Sequence, residues 1–318
     1  MPKVSIIIPV FNAEKYLEKC LNSIIESLNH AQYVLKTSEN TIEILLIDND
    51  SSDNSLTICK QYSKKYPQII DILQCHTKGA AAVRNYGAKK AKGKYIWFID
   101  ADDYIAKTAL AQLFEEIDKT KADLIMIGAK RVYKDHHTDY LSPVSIAEPN
   151  YKSRFIRYGM GPWQVIIFKK WWNEHNFSFK EGIIHEDMEL MSSLILYTDK
   201  LSSIDTPLYF YRQTPESVLH RRSWNEHAYD IFPALEGLLE RFKALKAEKR
   251  YHDELEWFFI WNLLIDSAKD FSQFPEGKPG FARSRKMLKK YFPNWRKNRF
   301  LREKPLKLQL RVRLNYYK

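Results

Sequence analysis

Cysteine is scarce in this chain: Cys20, Cys59 and Cys75 are the only three in 318 residues. They are too few and too irregularly spaced for a disulfide framework or a zinc site, which points to a reducing compartment, with the cytoplasm as the expectation. Long apolar runs are lacking as well. The stretch over residues 4–11 has one charged lead, Lys3, and contains Pro9, so it is too short for a secretory core or a membrane span. No later run approaches a spanning length, and there is no internal repeat or low-complexity segment. Negative charge is missing from one place. Residues 278–318 hold 15 Lys and Arg against one acid, Glu303, a net of +14, whereas the whole chain carries +11. The rest is therefore at 11 − 14 = −3, and all of the positive excess lies in the last 41 residues. Such a block bears on what the protein sits on rather than on its fold.

What is present first is alternation. At 45% hydrophobic content the chain can build a sizeable core. Apolar β-rich runs at 4–10, 42–47, 69–73, 95–100 and 124–127 are separated by segments of helical period at 13–28, 53–66, 80–91 and 108–119. Asp53 is placed to cap the second of these helices and Pro67 to stop it. This pattern predicts an α/β fold with a mostly parallel sheet flanked by helices, whose ligands bind outside the carboxyl ends of the strands. A composition rich in aromatics follows over 151–211. Beyond it an amphipathic helical part spans 224–271, and Pro275, Gly277, Pro279 and Gly280 mark an expected linker into the basic tail.

Three strand ends carry polar chemistry: Pro9-Val10-Phe11-Asn12, Asp48-Asn49-Asp50-Ser51-Ser52-Asp53, and Asp100-Ala101-Asp102-Asp103. By the carboxyl-end rule all three converge on one crevice. The last is the most informative. Stacking Asp100, Asp102 and Asp103 at the end of a buried aromatic strand is costly unless a cation neutralises them. Oxygen ligands of this kind favour Mg²⁺ or Mn²⁺, which commonly keep substrate phosphates as co-ligands. The plain alternatives are a solvated acidic turn at 100–103 and a helix-capping turn at 48–53. The run from Gly87 to Lys94 is no phosphate-binding P-loop, because five residues separate Gly87 from Gly93 and Tyr95 stands where Ser or Thr is needed.

Taken in order, Ser5-Ile6-Ile7-Ile8-Pro9-Val10-Phe11-Asn12, Ile47 to Asp53, Lys78-Gly79 through Arg84-Asn85-Tyr86-Gly87, and Gly93-Lys94-Tyr95 leading into Asp100-Ala101-Asp102-Asp103 resemble the inverting nucleotide-sugar glycosyltransferases of family 2, with the Rossmann-like GT-A fold. The resemblance covers residues 2–220. It implies a nucleotide-sugar site at Pro9, Phe11, Asn12, Asp48, Asn49, Lys78, Arg84, Asp100, Ala101 and Asp102, with Asp100 toward the ribose and Asp102 on a Mn²⁺ or Mg²⁺ that bridges the diphosphate. Asn49 stands where the family has a second aspartate. An amide can pair with a uracil edge without charge, so the departure bears on which base is bound. Arg84 and Lys78 are partners for phosphates or for the crevice carboxylates, with a structural salt bridge the alternative for Arg84.

In the second half, His185-Glu186-Asp187-Met188 resembles the family's Glu-Asp pair, which implies Asp187 as the base for the acceptor hydroxyl and Glu186 on the acceptor side. Both could equally be dipole partners at a helix start. The stretch from Tyr211 to His220 looks like the Arg-x-x-x-Ser loop of many relatives. His220 is a candidate further metal ligand or a structural histidine, and Trp163 either a sugar platform or a core residue.

These readings divide the chain into a glycosyltransferase domain over 1–222, nucleotide-sugar binding over 1–130 and acceptor side over 131–222. A helical extension over 223–274 and a basic tail over 275–318 follow. The tail interleaves cations with aromatics, then alternates Leu306, Leu308, Leu310, Val312 and Leu314, a period that suits a strand better than an amphipathic helix. Its charge suits an anionic membrane surface. The expectation is a metal-dependent transferase using a UDP-sugar and a saccharide or lipid-linked glycan acceptor in cell-surface polysaccharide synthesis, at the inner face of a bacterial plasma membrane. Two other classes compete. A nucleotidyltransferase would need a Gly-rich, Arg/Lys-bearing entry loop after the first strand, which is missing. A nucleic-acid binder would account for the tail but leave the acidic crevice unexplained, so no nucleic-acid partner is expected.

Overall fold

The computed structural model describes residues 1–36, 41–134, 138–141, 145–213 and 224–318. They form two compact units. The first holds Met1–Tyr151, Gly161–Gly182 and the strand beyond Thr198, and the second holds Lys152–Met160, Ile183–Tyr197 and the carboxyl-terminal stretch ending at Lys318.

In the first unit, β1 (Val4–Val10), β2 (Ile42–Asp48), β3 (Ile70–Gln74) and β4 (Tyr95–Phe98) alternate with α1 (Leu17–Leu35), α2 (Ser55–Lys65) and α3 (Ala80–Lys90). The chain continues through β5 (Tyr104–Ile105), α4 (Ala109–Thr120), β6 (Leu124–Val132), β7 (Thr138–Leu141), β8 (Val165–Phe168), α6 (Lys169–Glu174) and β9 (Leu201–Arg212). One sheet runs in the order β3-β2-β1-β4-β8-β6-β9-β5, with β7 beside β6. The pairs β3-β2, β2-β1, β1-β4 and β6-β9 are parallel, while β8, β5 and β7 join antiparallel. The mostly parallel sheet expected from the alternation is therefore present. Every residue of β2 is buried, as a strand covered by helices on both faces requires.

β6 is longer than the apolar run 124–127 suggests, because Lys130 and Arg131 continue it as a paired strand against β7 and β9. The register slips on either side of Gly128, where a Cβ would lie 2.8 Å from the Thr206 carbonyl oxygen. Glycine is what lets the two backbones come this close.

Burying Glu43 inside β2 demands donors, and the turn before β4 supplies them. Its carboxylate accepts from the Ser5 hydroxyl at 2.5 Å, the Gly93 N–H at 3.0 Å and the Lys92 N–H. Gly93 also donates to the Ser5 hydroxyl oxygen at 2.7 Å. The Gly93-Lys94-Tyr95 block is thus a closure between β1, β2 and β4, and it fixes where β4 starts and so where its acidic end falls.

The second unit is helical: α5 (Tyr151–Tyr158), α7 (Glu186–Leu194), α8 (Ile231–Ala244), α9 (His252–Trp261), α10 (Ser267–Gln273), α11 (Pro279–Tyr291), α12 (Arg299–Arg302) and α13 (Leu306–Tyr317). Phe242, Trp257, Phe259, Phe271 and Trp295 fill its core. The expected linker at 275–280 is a tight corner. Pro275–Gly277 is a 3₁₀ turn, Pro279 opens α11, and a Cβ on Gly280 would sit 2.6 Å from the Phe271 ring. The basic tail folds with it, burying Phe281, Leu288, Phe292, Trp295, Leu301 and Val312. Its last segment is a helix rather than a strand. A two-residue alternation advances about 200° on a helix, so successive leucines fall on opposite faces. No helix of the described residues is long and apolar enough to cross a membrane.

A Cβ at position 93 would meet the Ser5 backbone nitrogen at 2.5 Å and the Val4 carbonyl carbon at 2.8 Å, neither of which can rotate away. Gly93→Ala is expected to destabilise the protein by about 2 kcal/mol or more, lowering the melting temperature by ~4–8 °C, as differential scanning fluorimetry would read.

Candidate active site

Because β1 lies between β2 and β4 in parallel, with Val10 opposite Asp48 and Ile7 opposite Phe98, the three polar strand ends leave the sheet side by side. The loops after β1 and β2 are clasped crosswise. The Asn12 side-chain oxygen accepts from the Ser52 N–H at 2.9 Å, the Asn12 N–H donates to the Ser51 hydroxyl oxygen at 3.2 Å, and the Ala13 N–H donates to that of Ser55 at 2.8 Å. Asn12 adopts φ 47°, a left-handed geometry that asparagine tolerates better than most residues. Asp53 accepts from the Ser55 N–H at 2.9 Å with one oxygen and from the Glu14 N–H at 3.0 Å with the other, so it ties the start of α2 to the first loop, while the cap position expected for it is taken by Asn54. Phe11 is 62% exposed beside this clasp. Asp48 is buried; one oxygen accepts weakly from the Ser51 N–H at 3.4 Å, and the other has no hydrogen-bond partner among the described residues.

The Asn49 amide is engaged within the protein. Its amide nitrogen donates to the carbonyls of Cys75 at 2.6 Å and Thr77 at 2.9 Å, while its oxygen accepts from the Gly79 N–H at 3.1 Å. The amide therefore braces the loop between β3 and α3, and both of its N–H groups are spent on it. An aspartate could not replace it, since a carboxylate has no hydrogen to offer two carbonyls. Lys78 is exposed on that loop.

At the acidic strand end the three carboxylates are separated by their partners. Asp100 accepts from Arg84 at 2.8 Å, with the Arg84 side chain 7% and that of Asp100 28% exposed, and Arg84 lies 5.7 Å from the Phe179 ring centroid. The salt-bridge role for Arg84 is thus realised on a crevice carboxylate. Asp103 is fully buried and is held from β9: the Tyr209 hydroxyl donates to one oxygen at 2.6 Å and the Arg212 N–H to the other at 2.7 Å. The Tyr209 oxygen in turn accepts from the Asp100 N–H at 3.2 Å. Asp102 stays partly exposed. Burial, and next the charge of Asp100, push its carboxyl up to about 6. Burial and then the charges of Asp102 and Asp100 push Asp103 well above the usual carboxylate range, and burial and Asp103 do the same to the Tyr209 phenol.

Ala101 is buried between these groups. The half-buried Asp102, unpaired with Arg84 or Tyr209, is the oxygen that a hard cation would suit. The three aspartates do not converge as a closed ligand set. Among the described residues the one three-ligand cluster is His252, Asp253 and Glu256 in the second unit, where Asp253 pairs with Arg299 at 3.1 Å and Glu256 accepts from Asn298 at 2.8 Å. Those contacts tie α9 to α12. A metal on Asp102 would need its remaining ligands from phosphate oxygens or from elsewhere in the protein. His220, with the stretch to either side of it, lies outside the described residues.

Trp163 shows the packing role: 8% exposed, it stacks on Tyr209 at 4.5 Å and on Tyr211 at 5.4 Å between ring centroids, which seats the tyrosine that holds Asp103. Two residues with a part in the site were not singled out from the sequence. Tyr209 is one. Asn85 is the other; its amide donates to the Phe179 carbonyl and the Glu181 carboxylate, both at 2.9 Å, and accepts from the Phe179 N–H at 2.8 Å. Its adjacency to Arg84 was the available signal. In the second unit, Glu186 and Asp187 occupy the first turn of α7, where a helix amino terminus favours anions. His185 before them has φ 70°, and Ile184 is fixed by its N–H to Asp230 at 2.9 Å.

Two outcomes test this geometry. Asp103→Ala orphans the Tyr209 hydroxyl and the Arg212 N–H, and is expected to cost about 2–4 kcal/mol in urea unfolding. Asp102 has a folded pKa near 6 against an ordinary 3.8, so the folded state holds the extra proton between those values. Its contribution is therefore present below about pH 4 and lost as pH rises through 6. The ligand-free protein should show this loss relative to Asp102→Asn, in urea midpoints measured from pH 4 to 7.

Comparison with known proteins converges on one family. Glycosyltransferase GlyG of Streptococcus pneumoniae is 26% identical over 281 residues, 80% of this chain and 89% of that protein. The poly(ribitol-phosphate) beta-glucosyltransferase of Bacillus spizizenii is 35% identical over 265 residues, 81% of this chain but 39% of that protein. The crystal structure of S. aureus TarS in complex with UDP-GlcNAc superposes with a TM-score of 0.75 at 21% identity, covering 99% of this chain and 89% of that one, and so shares the GT-A fold. The family described as Glycosyl transferase family 2 matches residues 5–180, more than half of the chain, and the protein belongs to that family: it is a glycosyltransferase.

Proposed function

We infer that this glycosyltransferase takes its sugar from a nucleoside diphosphate, UDP by expectation, and passes it with inversion to a hydroxyl of a saccharide or lipid-linked glycan acceptor in cell-surface polymer synthesis. The single observation that carries the reading is the end of β4. There Arg84 neutralises Asp100, Tyr209 and the Arg212 N–H hold Asp103, and Asp102 is left half-buried with its carboxyl raised to about 6. The TarS complex with UDP-GlcNAc supports the donor class, and the ribitol-phosphate transferase supports a cell-surface polymer as acceptor.

Pro9, Phe11 and Asn12 would line the nucleoside end, with Phe11 free to stack on a base and the unpartnered buried oxygen of Asp48 able to accept from a base or ribose donor. Asn49 serves this pocket indirectly by holding the loop that carries Lys78, an exposed cation suited to phosphate. Asp100 would accept from a ribose hydroxyl with the oxygen that Arg84 leaves over. Asp102, with His220 as a candidate partner, would hold Mg²⁺ or Mn²⁺, which when bound neutralises charge on the departing diphosphate. Asp187 takes the acceptor proton as the hydroxyl attacks the anomeric carbon; the glycosidic C–O bond forms as the sugar–phosphate bond breaks. Glu186 would stand on the acceptor side with it. Release of the nucleoside diphosphate separates this reaction from a nucleotidyl transfer, which would release pyrophosphate.

A panel of UDP-, GDP- and dTDP-sugars read by thermal shift with and without Mn²⁺ tests the donor, and a rise specific to UDP compounds is expected. No shift with any donor would sink the reading. Asp187→Asn should lower turnover by about 10²–10⁴-fold while keeping the donor shift. Chelation by EDTA should remove the Mn²⁺-dependent part of that shift in the wild type, and Asp102→Asn should already lack it.

A further inference from the structure

The carboxyl-terminal helix α13 presents two apolar faces, and the fold uses one. Taking about 100° per residue from Leu306, Leu308, Val312 and Asn315 fall at about 180–240°. Val312 and Asn315 are buried there, and the Asn315 amide donates to the Leu264 carbonyl at 2.9 Å. Leu306, Leu310, Leu314 and Tyr317 fall at about 0–80° and are 69%, 49%, 66% and 71% exposed. Three leucines in line on an outward face, each about half exposed or more, are a contiguous stripe rather than scattered surface residues. Lys307, Arg311 and Lys318 follow at about 100–140° on one side, and Arg313 borders the other at about −20°. The stripe also forms one wall of a groove of about 740 Å³, shared with Ala268, Lys269 and Ser272.

The charge around this face says what covers it. Residues 278–318 hold one acid, and no acidic residue lies on α13. A second copy of the same face would bring cation against cation, which opposes self-association. An anionic bilayer meets both features at once, since apolar side chains enter the headgroup boundary while the flanking cations reach lipid phosphates. We propose that the outward face of α13 is a docking surface for anionic membrane, with Leu306, Leu310 and Leu314 inserting and Lys307, Arg311 and Arg313 holding the headgroups. The proposal does not depend on the donor or the catalytic base. It does account for how an enzyme with no spanning helix among its described residues could meet a lipid-linked acceptor.

Vesicle flotation of the full chain tests it, with liposomes of phosphatidylcholine alone and of phosphatidylcholine with ~30% phosphatidylglycerol. The wild type should float with the anionic liposomes only, and less at 0.5 M than at 0.1 M salt, because screening shortens the reach of its cations. Leu306→Ser/Leu310→Ser/Leu314→Ser, all on an exposed face, should keep the wild-type melting temperature and UDP-sugar thermal shift while losing at least about tenfold in liposome partitioning. Tyr33→Ser, which removes an exposed aromatic (84%) from α1, should leave partitioning unchanged. The proposal is overturned if the triple variant floats like the wild type, or if neutral and anionic liposomes bind equally. It is also overturned if the wild type ignores liposomes but forms a dimer that the triple variant abolishes. A donor shift that fails while flotation succeeds would instead count against the donor assignment alone.

Discussion

Everything at the end of β4 depends on how three aspartates are kept together on one buried strand. Water cannot screen them there, so the fold supplies a separate solution for each. Arg84 comes from α3 to meet Asp100, and β9 brings Tyr209 and the Arg212 N–H to Asp103. The Tyr209 hydroxyl joins the two, accepting from the Asp100 backbone while donating to the Asp103 side chain. Asp102 is met by neither Arg84 nor Tyr209, and burial with the charge of Asp100 outweighs the Arg212 charge and raises its carboxyl to about 6. The sheet order serves this arrangement, since β9 belongs to the far half of the sheet and yet returns to brace the strand end of β4.

Side-chain amides do much of the remaining positioning. Asn12 clasps the loops after β1 and β2, Asn49 holds the loop before α3, and Asn85 fastens the segment around Phe179. Asn49 and Asn85 each face backbone groups of both polarities, and an amide carries both a donor and an acceptor without charge. Near a cluster of carboxylates that neutrality matters, because another anion would raise the cost of ionising Asp102. Asn49 in place of an aspartate is therefore a structural choice. It commits the amide to the loop between β3 and α3.

The legibility of the sequence followed locality. Parallel strands buried on both faces announce themselves as apolar runs, so β1, β2 and β4 were visible with nearly correct limits, and their parallel pairing puts Asp48 and Asp100 to Asp103 at neighbouring strand ends. The second half of β6 was hidden because Lys130 and Arg131 are polar and owe their strand form to β7 and β9. At 275–280 the prolines and glycines read as a linker, because close approach and flexibility use the same residues. The Phe271 backbone against Gly277 and the Phe271 ring against Gly280 mark close approach.

Order along the chain is enough to set the parallel half of the sheet, the succession of the polar strand ends and the concentration of positive charge in the last 41 residues. Those are properties of neighbours along the chain. It took the folded chain to decide which aspartates take partners from α3 and β9, that Asn49 faces a loop, and that Trp163 packs under Tyr209. It also decided that the alternating leucines of the tail form a helix, with Val312 inward and Leu310 outward. Each of these turns on a partner distant in sequence, and no periodicity within a segment can report what a segment elsewhere brings against it.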